Sequence, residues 1–324
     1  FRAVHGPNTG AFVREYKWLE IYGLKLVDLV VPPVTHQSRT FADFAAAHRS
    51  LAPLQDEGSY LGLVGLASLG LLAATAAWDV VRRRADDIPM EAWQVLWIVV
   101  CFSTGGLNAI LGAAGFTLFR TGCRYSIVIL SVSLLFAARW LTSRDRTEAG
   151  GRGDIRAGSL ITAGFLCMLI LWDQVPRPPA PSETAAIAAQ VASDREFVGL
   201  MEAALPPGAM VFQLPIMEFP ESPAPGIPAY DHLRPYLYSR KLRFSFGSMK
   251  GRTREQWQRD LGTIPLERAV EQITDRGFAA IYLNRNGFPD KGKQIIEKLR
   301  EMGFTRPQIV SSGGDLVCIP LVKG

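Results

Sequence analysis

Long apolar runs dominate the middle of the chain. They cover residues 60–81, 93–119, 125–141 and 157–172, whereas residues 173–324 are more polar. A helix needs about 20 apolar residues to cross a hydrocarbon core of about 30 Å. The pattern therefore predicts four transmembrane helices, the last two near the short limit. The alternative is a set of buried helices in a soluble protein, but four such runs so close together exceed what a soluble core usually contains.

The polar part has a different pattern, in which apolar strands alternate with amphipathic helices. A proline-rich linker is predicted at 174–182, and Ser182 is the expected N-cap of a helix that ends at Ala204. The further predicted elements are strands at 209–214, 242–247 and 278–284, helices at 252–261, 266–276 and 291–302, and a closing hairpin at 307–311 and 315–321. This alternation predicts a small α/β domain over residues 183–324.

Residues 1–58 precede the first apolar run. Their sequence predicts an amphipathic or re-entrant segment that lies at the membrane interface and ends at Pro32–Pro33, followed by a short helix at 41–50. His36, Arg39 and His48 could face a lipid headgroup or a sugar phosphate, but a solvated interfacial loop is the favoured reading. The predicted fold class is thus an α-helical transmembrane bundle of about four spans, residues 59–173, followed by a small α/β extracytoplasmic domain.

Basic residues in the short loops predict the orientation of the spans. Those after the first and third runs are Arg82, Arg83, Arg84, Arg139, Arg144, Arg146, Arg152 and Arg156. The loop after the second run carries only Arg120 and Arg124. The first and third loops are therefore expected in the cytoplasm, and residues 1–58, the second loop and the polar domain outside it.

An outward-facing first segment needs an earlier span to reach that side. Residue 1 is Phe and no signal-peptide pattern follows it, so we expect the chain to be the C-terminal part of a larger protein. The net charge of +5 does not indicate nucleic-acid binding, because many basic residues are the orientation signals just described. The cysteines (Cys101, Cys123, Cys167 and Cys318) show no metal-ligand spacing, and no cofactor or metal is predicted.

One stretch of the polar domain combines basic and aromatic residues. Between Arg234 and Arg259, Glu255 is the single acid among eight basic residues: Arg234, Arg240, Lys241, Arg243, Lys250, Arg252, Arg254 and Arg259. Arginine binds phosphate in a bidentate manner. The predicted binding residues for a lipid phosphate or a diphosphate sugar are His232, Arg234, Tyr236, Tyr238, Arg240, Lys241 and Arg243. A solvated basic face, plain or held against anionic headgroups, is nevertheless favoured over a ligand contact.

Three smaller features have both a functional and a structural interpretation. Asp231 and His232 could form an acid/base pair, but a structural hydrogen-bonding role is favoured because adjacency alone places side chains on different faces. Arg120 and Arg124 could hold the phosphate of a lipid carrier, or extend towards the interface without a ligand. Asn108, after Gly105–Gly106, favours helix packing over a substrate path.

Several of these segments together resemble a known class. The segment Tyr22–Pro33 with His36, the span opening at Phe119–Ser126, Leu214–Pro215, the stretch Tyr236–Lys241 and the run Gly277–Leu283 resemble the C-terminal half of bacterial multi-pass membrane glycosyltransferases of the GT-C class. The resemblance implies an inner-membrane enzyme of the cell envelope that takes a polyprenyl-phosphate-linked sugar on the outer face. It also implies a catalytic acid in an upstream outer loop. Asp28 and Glu20 do not match that loop, so no catalytic residue is assigned.

Two functions follow as expectations. The first is a glycosyltransferase portion whose partners are membrane lipids, a polyprenyl-phosphate sugar and a glycan or lipid acceptor. The second is a non-enzymatic multi-pass protein, a flippase-like or assembly component, whose outer domain binds a glycan or another protein. Phosphoethanolamine and sulfate-ester transferases need a metal cluster rich in Asp and His, and His232 is the lone histidine of the polar domain.

Overall fold

The chain folds into two compact units in a computed structural model that describes residues 6–11, 13–51, 58–148, 157–221 and 224–323. The helical unit is Val13–Pro178, and the α/β unit combines Phe1–Phe12 with Pro179–Gly324. The boundary between Pro178 and Pro179 lies inside the predicted linker. Arg152 and Arg156, which contributed to the predicted orientation, lie outside the described residues.

The described part of the helical unit contains α1 (Lys17–Ile21), α2 (Arg39–Leu51), α3 (Gly62–Val81), α4 (Met90–Phe102), α5 (Leu107–Ala113), α6 (Ser126–Glu148) and α7 (Ala157–Gln174). Short 3-10 turns lie at Leu26–Leu29, Ala85–Asp87 and Gly122–Tyr125. The α2 helix confirms the helix predicted at 41–50.

Two helices in the described residues are long and apolar enough to cross a membrane: α3 and the helix Gly122–Ser143 that includes most of α6. The apolar helices α4 and Leu160–Gln174 are shorter. Four spans are therefore not confirmed by helix length. Many large apolar side chains on these helices are nevertheless exposed, such as Trp97 on α4 and Phe165 on α7.

The second apolar run is not the single helix that its hydropathy predicts, and this prediction is wrong. Helix α4 ends at Phe102, and α5 begins only at Leu107. The break arises because Leu24 pairs with this point: its N–H donates to the Phe102 carbonyl at 2.8 Å, and its carbonyl accepts from the Thr104 N–H at 3.1 Å. A continuous helix would need both groups for itself. Gly105, with φ of 74°, supplies the turn.

One end of the helical unit is tied together by the segment 22–36. The Tyr22 carbonyl accepts from the Cys123 N–H at 2.9 Å, and the Leu29 carbonyl accepts from the Leu61 N–H at 3.0 Å. The starts of α3 and α6 and the ends of α4 and α7 all lie at this end, which we call the joined end. At the other end Arg139 and Glu91 form an ion pair at 2.8 Å. The four apolar helices thus alternate in direction.

The α/β unit contains α8 (Pro181–Ala204), β1 (Met210–Leu214), α9 (Arg234–Tyr238), β2 (Arg243–Phe244), α10 (Thr253–Leu261), α11 (Leu266–Asp275), β3 (Phe278–Asn284), α12 (Lys293–Glu301), β4 (Ile309–Val310) and β5 (Leu316–Pro320). The start of α8 corrects the predicted N-cap. Pro181 occupies the first helical turn, and Glu183 rather than Ser182 caps it by accepting from the Ala180 N–H at 3.2 Å.

The strands form one mixed sheet in the order β2-β1-β3-β5-β4. Strands β2, β1 and β3 are parallel, whereas β5 runs antiparallel to β3 and pairs with β4, which confirms the predicted closing hairpin. Neighbouring residues of a strand point to opposite faces. Phe212 and Ile281 therefore pack into one core with α11 and α12, while Val211 and Tyr282 pack into a second core with α8.

Candidate functional site

His232, a predicted binding residue, lies inside the α/β unit. Its side chain is 0 % exposed, and Nε2–H donates to the Pro215 carbonyl at 2.8 Å. Burial lowers the pKa of the imidazole, so the neutral form is favoured. The neighbouring Asp231 carboxylate accepts from Asn284 Nδ2 at 2.5 Å instead of orienting the ring. Asp231 and His232 therefore make separate structural hydrogen bonds, as favoured by the sequence, and do not form an acid/base pair with each other.

Arg234, another predicted phosphate ligand, is enclosed by carboxylates. Its Nε donates to Asp194 Oδ2 at 2.9 Å, and Nη2 binds the other oxygen of the same carboxylate. Its Nη1 lies 3.3 Å from an Asp231 oxygen and 3.6 Å from Asp315. This guanidinium joins α8, the turn before α9 and the hairpin of β5. Its donors are committed to internal acceptors rather than to a ligand.

Tyr236, Arg240 and Lys241, also predicted to bind phosphate, form hydrogen bonds within the α/β unit. The Tyr236 hydroxyl reaches the Phe244 carbonyl at 2.8 Å and the Phe246 carbonyl at 2.5 Å, and burial raises its pKa to about 12. The backbone N–H groups of Arg240 and Lys241 donate to Glu202, and these bonds lower the pKa of that carboxyl.

The side chains of Arg240 and Lys241 are exposed. The Tyr238 ring lies 5.8 Å from the Arg195 guanidinium. Of the predicted set in the α/β unit, Arg240, Lys241 and Arg243 thus remain the cations at the surface, whereas His232 and Arg234 face inwards.

Arg243 belongs to a cleft that the sequence did not predict as a unit. The cleft has a volume of about 510 Å³ and lies at the amino ends of β1, β2 and β3. Three arginines line it: Arg243, Arg254 and Arg276. We call it the three-arginine cleft. Its other described lining residues are Met210, Phe244, Ser245, Ser248, Trp257, Gln258 and Phe278.

Arg276 was missed because it lies far from the basic-aromatic stretch in sequence. The parallel pairing of β1 with β2 and β3 brings the ends of those strands together, and Gly277 connects Arg276 directly to the start of β3. The signal was present in the predicted elements, since amino ends of neighbouring parallel strands share one sheet edge. Arg254 belongs to the basic-aromatic stretch but not to the predicted binding residues.

Arg120 and Arg124 are the predicted residues of the helical unit: Arg120 precedes the Gly122–Tyr125 turn at the joined end, and Arg124 lies within it. The Arg120 guanidinium lies 6.0 Å from the Tyr22 ring. Asn108 Nδ2 donates to the Phe119 carbonyl at 2.6 Å and so fixes the chain that leads into Arg120. This contact agrees with the packing role favoured for Asn108. Both arginines thus lie in or next to a constrained turn.

Asp173, at the end of α7, is a buried carboxylate that the sequence did not single out. It accepts from His36 Nε2 at 3.3 Å, the Tyr60 hydroxyl at 2.8 Å and the Leu63 N–H at 2.9 Å. His36 is 1 % exposed, and its Nδ1 accepts from the Ser38 N–H at 2.9 Å. His36 therefore neither faces a headgroup nor lies in a solvated loop, so both readings are wrong for this residue, because its ring completes this internal network.

In the part of the chain that the structure describes, no group of three or more His, Cys, Asp or Glu side chains could hold a metal ion. Known proteins add nothing to these observations: no family model matches the chain, no curated protein matches its sequence, and no solved structure matches its fold. The site is therefore interpreted from its own geometry.

Proposed function

We propose that this chain is part of a multi-pass glycosyltransferase of the bacterial inner membrane that uses a polyprenyl-phosphate-linked sugar on the outer face. In this proposal Arg120 and Arg124 hold the phosphate of the donor. The observation that carries it is the joined end, where the ends of four apolar helices lie together with Arg120 and the turn that contains Arg124. The four-span topology and the extracytoplasmic placement of the α/β unit are part of the same proposal.

Exposure of the apolar helices supports a lipid environment. Only 17 % of the apolar window of Gly62–Val81 is buried, and only 11 % of that of Gly122–Ser143. A core helix of a soluble protein would be mostly covered, and large exposed apolar areas mark membrane or protein contacts. Trp78 and Trp172 are exposed near helix ends, where interfacial aromatic residues commonly lie. With 13 residues, α4 extends about 20 Å and needs a thinner or locally adapted bilayer.

The chemistry of the turn suits a lipid-linked phosphate. The isoprenoid tail of such a donor dissolves in the hydrocarbon layer, so its phosphate lies at the level where apolar helices end. Two guanidinium groups at that level offer several N–H donors in planar forks that match phosphate oxygens. Tyr22 beside Arg120 supplies a ring close to the site. If the donor phosphate binds these two arginines, they do more than anchor the helix ends at the membrane interface.

The test uses a photoactivatable polyprenyl phosphate with the protein reconstituted in nanodiscs. We expect crosslinking to residues of the joined end, and a fall of about tenfold or more when Arg120→Gln and Arg124→Gln are combined. The control combines Arg83→Gln and Arg84→Gln, which removes the same charge beyond the other end of α3. Equal crosslinking in both double variants would show that the donor phosphate does not bind at Arg120 and Arg124.

A second candidate, a non-enzymatic membrane protein whose α/β unit binds a glycan or partner, is favoured by one feature. None of the described residues that line the three-arginine cleft is Asp, Glu or His. The cleft therefore offers no general base, which suits binding rather than catalysis. Transfer of radiolabelled sugar from a lipid-linked donor by the protein expressed from its own gene would favour the enzyme. Donor crosslinking without transfer would favour the binding protein.

A further inference from the structure

We propose that the three-arginine cleft binds a phosphoryl group, carried either by a soluble phosphorylated sugar or by a lipid headgroup. The proposal deepens the proposed function, since it adds a second phosphate-binding site, in the α/β unit, to the one at Arg120 and Arg124. It rests on the proposed function only for the choice between the two phosphate carriers. The cleft itself stands on its own geometry.

The first argument is uncompensated charge. Among the described residues, no carboxylate lies within ion-pair distance of Arg243, Arg254 or Arg276, and no hydrogen bond from their guanidinium groups is present. Two other arginines of the unit are paired: Arg234 with three carboxylates, and Arg259 with Glu255 at 2.6 Å. Three like charges that line one cleft repel one another, so a bound anion would reduce that repulsion and gain charge-assisted hydrogen bonds.

The second argument is preorganisation of Arg276. Its guanidinium carbon lies 4.0 Å from the centre of the Trp257 ring. That ring is stacked with Phe278 at an interplanar angle of 17° and meets Phe212 edge-on. Stacking on a fixed aromatic ring holds the planar fork in place before a ligand arrives. The Trp257 Nε1–H is buried and has no hydrogen-bond partner in the described residues.

The third argument is the construction of the cleft floor. Gln258, a buried residue, donates to the Ser245 carbonyl at 3.0 Å and to Ser248 Oγ at 3.2 Å. The Ser245 hydroxyl oxygen in turn accepts from the Gln213 N–H at 2.8 Å. Since Ser248 Oγ already accepts from Gln258, its own proton is available as a donor. The polar floor is thus rigid and presents a hydroxyl beside the arginines.

The fourth argument concerns helix α10, which begins at this cleft. Arg254 lies in its first turn, where the helix dipole favours an anion. The acid of the same turn, Glu255, already has partners: it accepts from the Gly251 N–H at 3.0 Å and is paired with Arg259 at 2.6 Å. The positive end of the helix therefore adds to the three arginines without a nearby unpaired carboxylate to oppose it.

The fifth argument is space for a ligand larger than phosphate. A second cleft of about 790 Å³ shares Phe244, Ser245, Ser248 and Arg254 with the first. Gly247 and Gly251 line it, with φ of 105° and 73°. Arg254 therefore stands between the two clefts. A phosphoryl group at the arginines could carry a sugar ring or a second phosphate into the adjoining space.

The test measures protection of arginines from phenylglyoxal in the full chain, reconstituted in nanodiscs of zwitterionic lipid and read peptide by peptide. Two probes are compared: soluble pyrophosphate and polyprenyl phosphate placed in the nanodisc. We expect one of them to protect Arg243, Arg254 and Arg276 together. Protection by pyrophosphate assigns a soluble phosphorylated ligand, and protection by the lipid alone assigns a headgroup. Absence of protection by either probe overturns the proposal.

Variants test whether the cleft itself binds the probe. Arg254→Gln and Arg276→Gln should each weaken binding of the protecting probe by about tenfold or more, while Arg276→Lys, which keeps the charge without the fork, should weaken it less. Arg306→Gln is the matched control, since Arg306 is exposed in the same unit and lies outside the cleft. Equal binding by Arg306→Gln and both cleft variants overturns the proposal. Failure here leaves the crosslinking at Arg120 and Arg124 unaffected, so the two proposals fail separately.

Discussion

At the scale of residues, Arg234 and Arg243 lie close together in the chain and have opposite surroundings. Arg234 is enclosed by three carboxylates, whereas Arg243 is exposed at the edge of the sheet. The high density of positive charge in the basic-aromatic stretch, residues 234–259, is visible in the sequence. The partners Asp194 and Asp315 come from α8 and the β5 hairpin, so the commitment of Arg234 to the interior could not be read from the stretch alone.

Arg234→Gln should destabilise the α/β unit by about 3–5 kcal/mol, because it leaves the buried carboxylate of Asp194 without its partner. Hydrogen exchange of β3 peptides in the full chain measures the local free energy of unfolding. Arg243→Gln is the control and should change it by less than about 0.5 kcal/mol, as expected for an exposed residue. A cost below about 1 kcal/mol for Arg234→Gln would contradict the structural role.

His232 should make the stability of the same unit fall with acidification. The pKa of His232 is lowered by burial from its usual 6.5, so the unfolded state binds a proton more readily than the folded state. The contribution is complete above pH of about 6.5 and is lost as the pH falls towards the folded-state pKa, by up to about 1.4 kcal/mol per pH unit.

Hydrogen exchange of β3 between pH 7 and pH 5 tests this expectation. His232→Gln should flatten the pH dependence, since an amide side chain does not titrate there. His48→Gln, in the helical unit, should leave it unchanged. An equally steep loss of stability in the His232→Gln variant would assign the pH dependence to other groups.

At the scale of elements, local patterns predicted the α/β unit well. The strand at Phe278–Asn284 has the predicted bounds, and the helices before and after it are present because apolar spacing and glycine stops were clear. The second apolar run failed for a physical reason. Hydropathy shows that residues 93–119 are apolar. It does not show that Leu24 forms backbone hydrogen bonds with Phe102 and Thr104, which interrupt the helix.

Close packing at Gly23 tests how much this junction matters. A Cβ at Gly23 would lie 2.7 Å from Thr104 Oγ1 and 2.9 Å from its Cα, so Gly23→Ala must displace the segment beside the helix break. We expect a loss of thermal stability of the helical unit and faster proteolysis of residues 13–31. Gly70→Ala, in the open middle of α3, should be neutral or stabilising by up to about 1 kcal/mol. Equal stability of both variants would show that the segment around Gly23 can move away from Thr104 without cost, and would contradict the prediction.

At the scale of the whole molecule, hydropathy separated a helical unit from an α/β unit, and the loop arginines predicted which ends of the helices belong together. The joined end agrees with that grouping, because the Gly122–Tyr125 turn and the segment 22–36 lie at one end. The three-arginine cleft could not be predicted at this scale, since it depends on the order of strands in the sheet.

The proposed topology places Ser182 outside the inner membrane and Arg83 in the cytoplasm. In intact cells, a membrane-impermeant maleimide should label Ser182→Cys and leave Arg83→Cys unlabelled until the membrane is opened. Peptide-level detection separates these sites from the native cysteines, so none has to be replaced. Both introduced positions are exposed in the structure, which makes their labelling comparable. Labelling of Arg83→Cys in closed cells would reverse the proposed orientation.

The Asp173 carboxylate has a consequence for how the protein is made. Its donors, the Tyr60 hydroxyl and the Leu63 N–H, are synthesised more than a hundred residues earlier than their acceptor. Until translation has passed Asp173, the beginning of the first apolar helix therefore lacks the group that closes it. The helical unit can therefore reach its final packing only after α7, its last helix, has been synthesised. The residue that joins the first and last apolar helices comes from the end of the unit rather than from its start.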